Sequence, residues 1–219
     1  MAIREIVFDC DGVLVKSLPL CIIEVNTVMA TFGYPERSDD EIMEGFKKIF
    51  KEFLRINHPD VTFDMYLKRR NELGLDLVRV PRVEGSKRAI VELSKDHHLS
   101  IISNRDGLTL NEILCGSGHE LDRFHYIQSA SNSPHHKPDK RVFNAVIKKA
   151  LDRGIRKEEI MYVGDMEVDY YATVNAGLHF TGVLTGGIKD KQGFIDLGAP
   201  AGNIIESLRE LPDLVRSLR

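Results

Sequence analysis

The sequence predicts an α/β fold: a Rossmann-like parallel sheet core with helices on both faces, interrupted by an inserted all-helical subdomain. After Pro81, short apolar runs alternate with segments of helical periodicity, which is typical of a parallel sheet covered by helices. Another apolar run, at residues 3–8, stops at Asp9 and predicts a first strand. Between these two regions the apolar spacing is helical almost throughout. We therefore expect a core whose first strand is separated from the others by a helical insert.

The individual elements follow from the same patterns. The core strands are predicted at residues 3–8, 99–103, 124–129, 160–164 and 179–183. The core helices are predicted near residues 86–97, 107–117, 139–152, 168–176 and 207–218. Within the insert, one helix ends at Gly33, a second covers about residues 42–53 before Pro59 stops it, and a third covers residues 65–77. The predicted core is residues 1–15 and 82–219, and the predicted insert is residues 16–81.

Composition restricts the class of protein. Lys and Arg together number 30 and Asp and Glu 33, for a formal net charge of −3; this balance argues against binding nucleic acid or anionic membrane with the whole surface. Three cysteines, Cys10, Cys21 and Cys115, form no CxxC pair, which predicts a reducing compartment. The N-terminus does not resemble a signal peptide, and no apolar run approaches the roughly 18–20 residues of a membrane span. A cytoplasmic protein without membrane or nucleic-acid partners is expected.

The first candidate site follows the first predicted strand. Asp9 and Asp11 are two residues apart, so their side chains point the same way in extended chain, and Gly12 permits a sharp turn after them. Two carboxylates this close repel each other unless a cation joins them or one is protonated. A solvated turn explains the same residues equally well, because Asp and Gly are common turn formers.

Three further strands end in polar residues. Ser103 and Asn104 could hold phosphate oxygens with a hydroxyl and backbone N–H groups, or could simply form a turn. Lys137 could offer a positive charge to an anion or to a carboxylate, although most lysines are only solvated. Asp165 and Asp169 suit Mg²⁺, although an acid in the first turn of a helix is also favoured by the helix dipole.

The joint occurrence of these motifs is more informative than any one of them. The carboxyl ends of all strands in a parallel sheet lie at the same edge, and such sheets bind ligands at that edge. The set contains carboxylates, a lysine, a hydroxyl and free backbone N–H groups. It predicts Mg²⁺-assisted transfer of a phosphoryl group to a carboxylate.

In this order and spacing the motifs resemble those of the haloacid dehalogenase-like hydrolase superfamily. The four segments that carry the resemblance are FDCDGVLVKS, IISN, KPDKRVF and VGDMEVD. The helical insert, which begins with SLPLCIIEVNTVMATFGYP, is similar to the helical cap of the phosphoglycolate phosphatase-like branch. The resemblance covers nearly the whole chain.

The resemblance implies a role for each residue. Asp9 matches the nucleophile that forms an aspartyl-phosphate, and Asp11 matches the general acid and base. Ser103, the Asn104 amide and Lys137 match the groups that bind the substrate phosphate. The implied cofactor is Mg²⁺, held by an Asp9 carboxylate oxygen, the Asp11 backbone carbonyl and Asp165. Asp169 and Gly12 match supporting positions.

The resemblance also implies a reaction class and leaves alternatives open. A phosphatase for a small phosphate monoester, such as 2-phosphoglycolate, is expected; Asp11 argues against dehalogenation, because a halide leaving group needs no proton. A sugar-phosphate mutase like β-phosphoglucomutase, a phosphonate hydrolase and a pyrophosphatase of the same fold remain alternatives. So do a non-enzymatic regulator and an unrelated metal-binding α/β domain. The oligomeric state stays open.

The insert is expected to select the substrate by closing over the core. Its basic side chains could offer a cation to a carboxylate or second phosphate, although a solvated helix face is the commoner role for any one of them. These residues are Lys47, Lys48, Lys51, Arg55, Lys68, Arg69 and Arg70.

Overall fold

The computed structural model describes residues 2–75 and 80–218, which form a parallel α/β sheet and a group of helices inserted after its first strand. The sheet order is β3-β2-β1-β4-β5-β6, and every pairing in it is parallel. The strands are β1 Glu5–Phe8, β2 His98–Ile102, β3 Tyr126–Gln128, β4 Ile160–Gly164, β5 His179–Val183 and β6 Ile204–Ile205. The predicted fold class is confirmed. The two-residue strand β6 was not predicted, because a strand this short leaves no apolar run in the sequence.

The central strand β1 determines where the site lies. It pairs with β2 on one side and β4 on the other, and Phe8 lies opposite both Ile101 and Val163. Strands β2 and β3 lie on one side of β1 and strands β4, β5 and β6 on the other, so the strand order reverses between β1 and β4. Open parallel sheets bind ligands at the carboxyl ends of the strands at such a switch point. Asp9, the next residue, continues the ladder by donating its backbone N–H to the Val163 carbonyl at 2.9 Å.

Side chains alternate between the two faces of β1, and each face is covered. Ile6 and Phe8 belong to one hydrophobic cluster with Leu99 and Val163. Val7 belongs to the second cluster, on the opposite face. A strand buried on both faces has a continuous apolar sequence, as residues 6–8 do.

The helices follow the predicted order with several changes of boundary. They are α1 Leu18–Ala30, α2 Asp39–Phe46, α3 Phe50–Asn57, α4 Phe63–Glu72, α5 Ser86–Leu93, α6 Gly107–Gly116, α7 Asn144–Asp152, α8 Glu167–Ala176, α9 Lys191–Asp196 and α10 Leu211–Ser217. The short helix α9 was not predicted. The end of the third predicted insert helix, at residues 76 and 77, lies outside the described residues.

The single helix predicted over residues 42–53 is wrong, because it is two helices. A capping box between Ser38 and Glu41 starts α2, and Ile49 has extended backbone (φ −69°, ψ 142°) before α3 begins. The packing explains the break: the ring of Phe53 lies against Gly45, where a Cβ atom would overlap it. The apolar spacing continues through the break, so the periodicity alone could not reveal it.

Substitution of Gly45 by alanine tests this packing. Alanine is intrinsically favoured over glycine in a helix by about 1 kcal/mol. We nevertheless expect Gly45→Ala to lower the free energy of unfolding by about 1–3 kcal/mol, because the added methyl displaces the buried Phe53 ring. Denaturant titration followed by far-ultraviolet circular dichroism measures the change. Gly202→Ala is the control, since a Cβ there meets nothing within 4 Å. A Gly45→Ala protein as stable as the original would contradict the packing argument.

The inserted helices α1–α4 have a hydrophobic cluster of their own. Its buried members include Val28, Ile42, Phe53 and Tyr66. The chain leaves and re-enters the core along adjacent segments: Lys16 N–H donates to the Pro81 carbonyl at 2.8 Å, and Val83 N–H donates to the Leu14 carbonyl at 2.9 Å. Among the described residues, no helix is both long enough and apolar enough to cross a membrane.

Candidate active site

The predicted site residues come together at the carboxyl edge of the sheet. A cavity of about 130 Å³ opens there between the strand ends and the inserted helices. The predicted residues that line it are Asp9, Asp11, Gly12, Ser103, Asn104, Lys137 and Asp165. Asp169 is the exception: it is fully buried behind these residues, at the start of α8.

Asp9 lines the cavity and is buried. One carboxylate oxygen, Oδ1, accepts from its neighbour's backbone, Cys10 N–H, at 2.8 Å and lies 2.9 Å from Lys137 Nζ. Burial raises the pKa of Asp9 to about 7; the charge of Lys137 opposes the rise, and Asp169 and Asp11 add to it. A second cation, besides Lys137, is therefore needed near Asp9 to keep it fully ionised at neutral pH.

Lys137 is a buried cation held by three groups. Its Nζ lies 2.9 Å from Asp9 Oδ1, 2.7 Å from Asp169 Oδ1 and 2.9 Å from the Tyr162 hydroxyl. Burial alone would lower the pKa of Lys137, but the charges of Asp169 and Asp9 outweigh it and raise the pKa above its ordinary value. Its ammonium group is therefore charged, and its position is restricted.

Asn104 orients the loop that carries Lys137. Its side-chain amide donates to the Lys137 carbonyl at 3.0 Å and its Oδ1 accepts from Lys137 N–H at 3.0 Å. The Asn104 side chain thus joins the loop after β2 to the loop after β3. Its backbone amide remains the group that the family resemblance assigns to phosphate binding.

Asp169 uses its carboxylate to organise neighbouring residues. Its Oδ1 contacts Lys137, and its Oδ2 accepts the backbone N–H groups of Asp165 at 3.1 Å and Met166 at 2.9 Å. The Tyr162 hydroxyl lies 3.4 Å from Oδ1. With four donors already around it, Asp169 is placed to support the site.

The site has the features of a divalent-cation site. Carboxylate oxygens of Asp9, Asp165 and Asp169 lie within 4.8 Å of one another, and all three residues are buried. Asp165 Oδ1 has no hydrogen-bond partner among the described residues. Burial and the neighbouring charges of Asp169 and Asp9 raise the pKa of Asp165 well above its ordinary value. Closely spaced carboxylates of this kind suit a hard cation such as Mg²⁺, so the residues present fit the ion that the family resemblance implies.

Two glycines leave room for Asp165. A Cβ atom at Gly12 or at Gly186 would overlap its carboxylate, and Gly12 also has a positive φ of 71°. Gly12 was predicted as a supporting residue, whereas Gly186 was missed. Its only sequence signal is its place in the Gly186-Gly187 pair after β5, which is also a common turn sequence.

Asp11 is not part of the cluster of three carboxylates and pairs with Arg105. Arg105 Nε lies 3.0 Å from Asp11 Oδ2 and Arg105 Nη2 lies 2.6 Å from Asp11 Oδ1. The Ser17 hydroxyl also donates to Oδ1. Burial would raise the pKa of Asp11, but the charge and hydrogen bonds of Arg105, with Ser17, leave it below its ordinary value. Sequence reasoning missed Arg105 and Ser17; the position of Arg105, two residues after Ser103, was the available signal.

The inserted helices supply an apolar wall to the cavity. The ring-bearing residues in it are Phe46, Phe50, Phe63 and Tyr66, and Phe50 stacks edge-to-face on Tyr66 with ring centroids 4.8 Å apart. Of the seven basic insert residues considered from sequence, Lys48 is the one that lines the cavity.

Other basic residues of the insert contact the core. Lys47 Nζ lies 2.9 Å from Glu167, and Arg70 Nη2 lies 2.7 Å from Glu112. Lys51 lies 3.7 Å from Asp106. Arg55 and Lys68 are exposed, and Arg69 pairs with Glu72 on its own helix. The ion pairs of Lys47, Arg70 and Lys51 thus connect the insert to the core.

Comparison with known proteins identifies the family. The family profile described as haloacid dehalogenase-like hydrolase matches residues 6–183. The chain belongs to this hydrolase family. The resemblance drawn from the motifs is therefore confirmed, and the chain is an enzyme of the haloacid dehalogenase-like type.

Curated relatives span nearly the whole chain. A phosphoglycolate phosphatase from Cereibacter sphaeroides is 30% identical over 225 residues, covering 97% of this chain and 98% of the relative. A phosphoglycolate phosphatase from Vibrio cholerae is 23% identical and covers 84% of this chain and 86% of the relative.

Solved structures confirm the fold. A Bacteroides fragilis protein assigned as a haloacid dehalogenase-like hydrolase has a TM-score of 0.77 and 25% identity, covering 95% of this chain and 99% of its own. A Thermotoga maritima protein assigned as a β-phosphoglucomutase has a TM-score of 0.74 and 18% identity, covering 99% of this chain and all of its own (100%). The haloacid dehalogenase-like fold thus accommodates differently assigned activities, and the choice among them depends on the site.

Proposed function

We propose that this hydrolase is a Mg²⁺-dependent phosphatase that cleaves a small phosphate monoester, resembling 2-phosphoglycolate, through an aspartyl-phosphate on Asp9. The observation that carries the proposal is the position of Asp9. Its buried carboxylate lies beside Lys137, and carboxylate oxygens of Asp9 and Asp165 lie within 4.8 Å of each other, close enough to share one metal ion. The phosphoglycolate phosphatase relatives support the reaction class.

Each residue then has a chemical task. Asp9 attacks the phosphorus, and the bond to the leaving-group oxygen breaks as the Asp9–phosphorus bond forms. Asp11 gives a proton to the departing oxygen and later takes one from the water that hydrolyses the aspartyl-phosphate. Ser103, the Asn104 amide and Lys137 bind the phosphate oxygens.

The proposed metal site consists of one Asp9 oxygen, the Asp11 carbonyl and Asp165. Mg²⁺ bound there would neutralise charge on the carboxylates and on the phosphoryl group. Asp169 keeps Lys137 in place, and Gly12 leaves the space that Asp165 occupies.

We also propose that residues 16–81 act as a cap over a core of residues 1–15 and 82–219. The separate hydrophobic cluster of α1–α4 and the adjacent entry and exit segments support this division. A cap that closes over the sheet edge would exclude water during the first step and supply contacts to the leaving group.

The competing reaction is phosphoryl transfer to a sugar, as in a mutase. The fold is shared with the Thermotoga maritima protein assigned as a β-phosphoglucomutase, so a mutase is the alternative to be tested. A kinetic screen of phosphorylated metabolites, ranked by kcat/KM and read by phosphate release, separates the two reactions. Release of one phosphate for each substrate consumed is the expected result. Conversion of glucose 1-phosphate to glucose 6-phosphate without phosphate release would identify a mutase instead.

The pH profile tests the environment of Asp9. Because protonated Asp9 neither attacks phosphorus nor binds a metal, activity falls as the pH drops through its pKa. At limiting Mg²⁺ we expect the acid limb of kcat/KM near pH 7, in line with the raised pKa of Asp9, about 7, in the metal-free site. Saturating Mg²⁺ should move that limb down by about 1–3 pH units. An acid limb that does not move with Mg²⁺ would argue that Asp9 is not a metal ligand.

A further inference from the structure

Arg105 occupies both carboxylate oxygens of Asp11. The pair is bidentate, with distances of 3.0 Å and 2.6 Å, and Ser17 donates to one of the same oxygens. Arg105 Nη2 also lies 3.2 Å from Cys21 Sγ of α1. In this arrangement the Asp11 carboxylate faces a guanidinium group, so it is not directed at a leaving group.

The backbone of Arg105 is fixed, whereas its side chain is long. Its N–H donates to the Ser103 hydroxyl at 3.1 Å, and its carbonyl accepts from Ala130 N–H at 2.8 Å. Its guanidinium extends from this anchor to the cavity, where it meets Asp11 and the α1 residue Cys21. A rotation of the side chain could therefore move the charge without moving the loop that holds Ser103.

The other cations that line the cavity are less available to a leaving group. Among the described lining residues these are Lys137 and Lys48. Lys137 is bound by Asp9 and Asp169 beside the proposed phosphate position. Lys48 is exposed, and the rest of the wall that the inserted helices supply is largely apolar. Arg105 is thus the half-buried cation on the side of the cavity that the inserted helices cover.

We propose that Arg105 binds a carboxylate on the leaving-group part of the substrate, and that its transfer from Asp11 to that carboxylate releases Asp11. The inference rests on the proposed phosphatase function. A substrate carboxylate offers the guanidinium the same bidentate geometry as Asp11. A neutral leaving group offers no such replacement, and separating a partly buried ion pair without a new partner costs free energy. The enzyme would therefore favour esters with a second negative charge.

Matched substrates test the proposal. The pairs are 2-phosphoglycolate with its uncharged amide, and 2-phospholactate with its uncharged amide, each measured at saturating Mg²⁺. For the wild-type enzyme we expect kcat/KM to favour the acid over the amide by about 10²-fold in at least one pair, since a site built for a polar group rejects an analogue that lacks it. Arg105→Met should reduce this ratio to within about threefold of one, and Arg105→Lys should keep part of it, because the charge remains but the bidentate geometry is lost.

Lys48→Met is the matched control, as it removes another cation that lines the same cavity. We expect it to leave the acid-to-amide ratio within about threefold of wild type, because an exposed charge is screened by solvent. Circular dichroism and thermal unfolding establish that each variant is folded.

Several results would overturn the inference. One is an unchanged acid-to-amide ratio in Arg105→Met; if activity on acid and amide falls equally, the role of Arg105 is purely structural. A ratio that falls in Lys48→Met and not in Arg105→Met would assign the anion to Lys48. A wild-type enzyme that hydrolyses p-nitrophenyl phosphate yet shows no preference for either acid would also refute it. Absence of hydrolysis of every phosphate ester, p-nitrophenyl phosphate included, would instead refute the proposed function.

Discussion

Substitution of Asp9 by asparagine is expected to abolish phosphate-ester hydrolysis and to leave the fold intact. Asparagine has nearly the same shape as aspartate but no negative charge, so it can neither attack phosphorus nor hold a cation as a carboxylate does. We expect kcat to fall by at least about 10³-fold with p-nitrophenyl phosphate, as losses of a nucleophile do. Steady-state kinetics measure the fall, and circular dichroism checks the fold.

The fold should tolerate this change because Lys137 keeps a second carboxylate partner, Asp169, at 2.7 Å. Asp139→Asn is the control: Asp139 lies two residues after Lys137, but pairs with Arg141 and does not line the cavity. It should retain activity within about twofold, as surface changes away from a site do. An Asp9→Asn enzyme that keeps a tenth of the original activity would show that another group is the nucleophile.

A direct chemical probe complements the substitution. Beryllofluoride mimics a phosphoryl group bound to a carboxylate, and we expect a stable adduct on Asp9 in the presence of Mg²⁺. The Asp9→Asn protein should form none. An α/β domain that merely binds metal would take up Mg²⁺ but give no adduct in either protein.

Removal of divalent cations is expected to have an effect of similar size. Chelation with EDTA should lower kcat by about 10³-fold or more, since a bound metal contributes several kcal/mol to the stabilisation of transition-state charge. Added Mg²⁺ should restore the original rate. The physical reason is the crowding of negative charge: carboxylate oxygens of the buried residues Asp9, Asp165 and Asp169 lie within 4.8 Å of one another, and Lys137 contacts two of these residues, Asp9 and Asp169.

Asp165→Asn should connect this effect to the proposed ligands. It removes the carboxylate whose Oδ1 has no hydrogen-bond partner among the described residues, so the Mg²⁺ concentration for half-maximal activity should rise by about 10-fold or more. Asp122→Asn, an exposed acid on the core, is the control and should leave the requirement unchanged. Full activity in EDTA, or an unchanged Mg²⁺ requirement in Asp165→Asn, would refute the proposed metal site.

The convergence of the site residues was predictable from the sequence, because it follows from topology. Strands of one parallel sheet present their carboxyl ends at the same edge, so residues placed directly after strands, such as Asp9, Ser103 and Asp165, meet there whatever the details of packing. The motif spacing was also enough to identify the family, and the profile match over residues 6–183 confirms it. The reaction and the residue roles remain proposals.

Other features needed the tertiary structure. The pairing of Arg105 with Asp11 joins the loop after β2 to the loop after β1, and nothing in either segment alone indicates it. The break between α2 and α3 depends on the ring of Phe53 against Gly45, a contact that the uninterrupted apolar spacing conceals. The two-residue strand β6 exists because β5 offers it a hydrogen-bonding edge.

The sequence by itself therefore determined the fold class, the family and the residues that gather at the sheet edge, because these depend on local periodicity and on the order of strands. The tertiary structure decided which side chains touch one another. Lys137 contacts both Asp9 and Asp169, and Asp11 forms an ion pair with Arg105. The inserted helices add an apolar wall to the cavity. Such contacts join residues far apart in the chain, and they are selected by packing and by the pairing of buried charges. For that reason the sequence indicated which groups carry the proposed chemistry, and only the structure showed which partner holds each one.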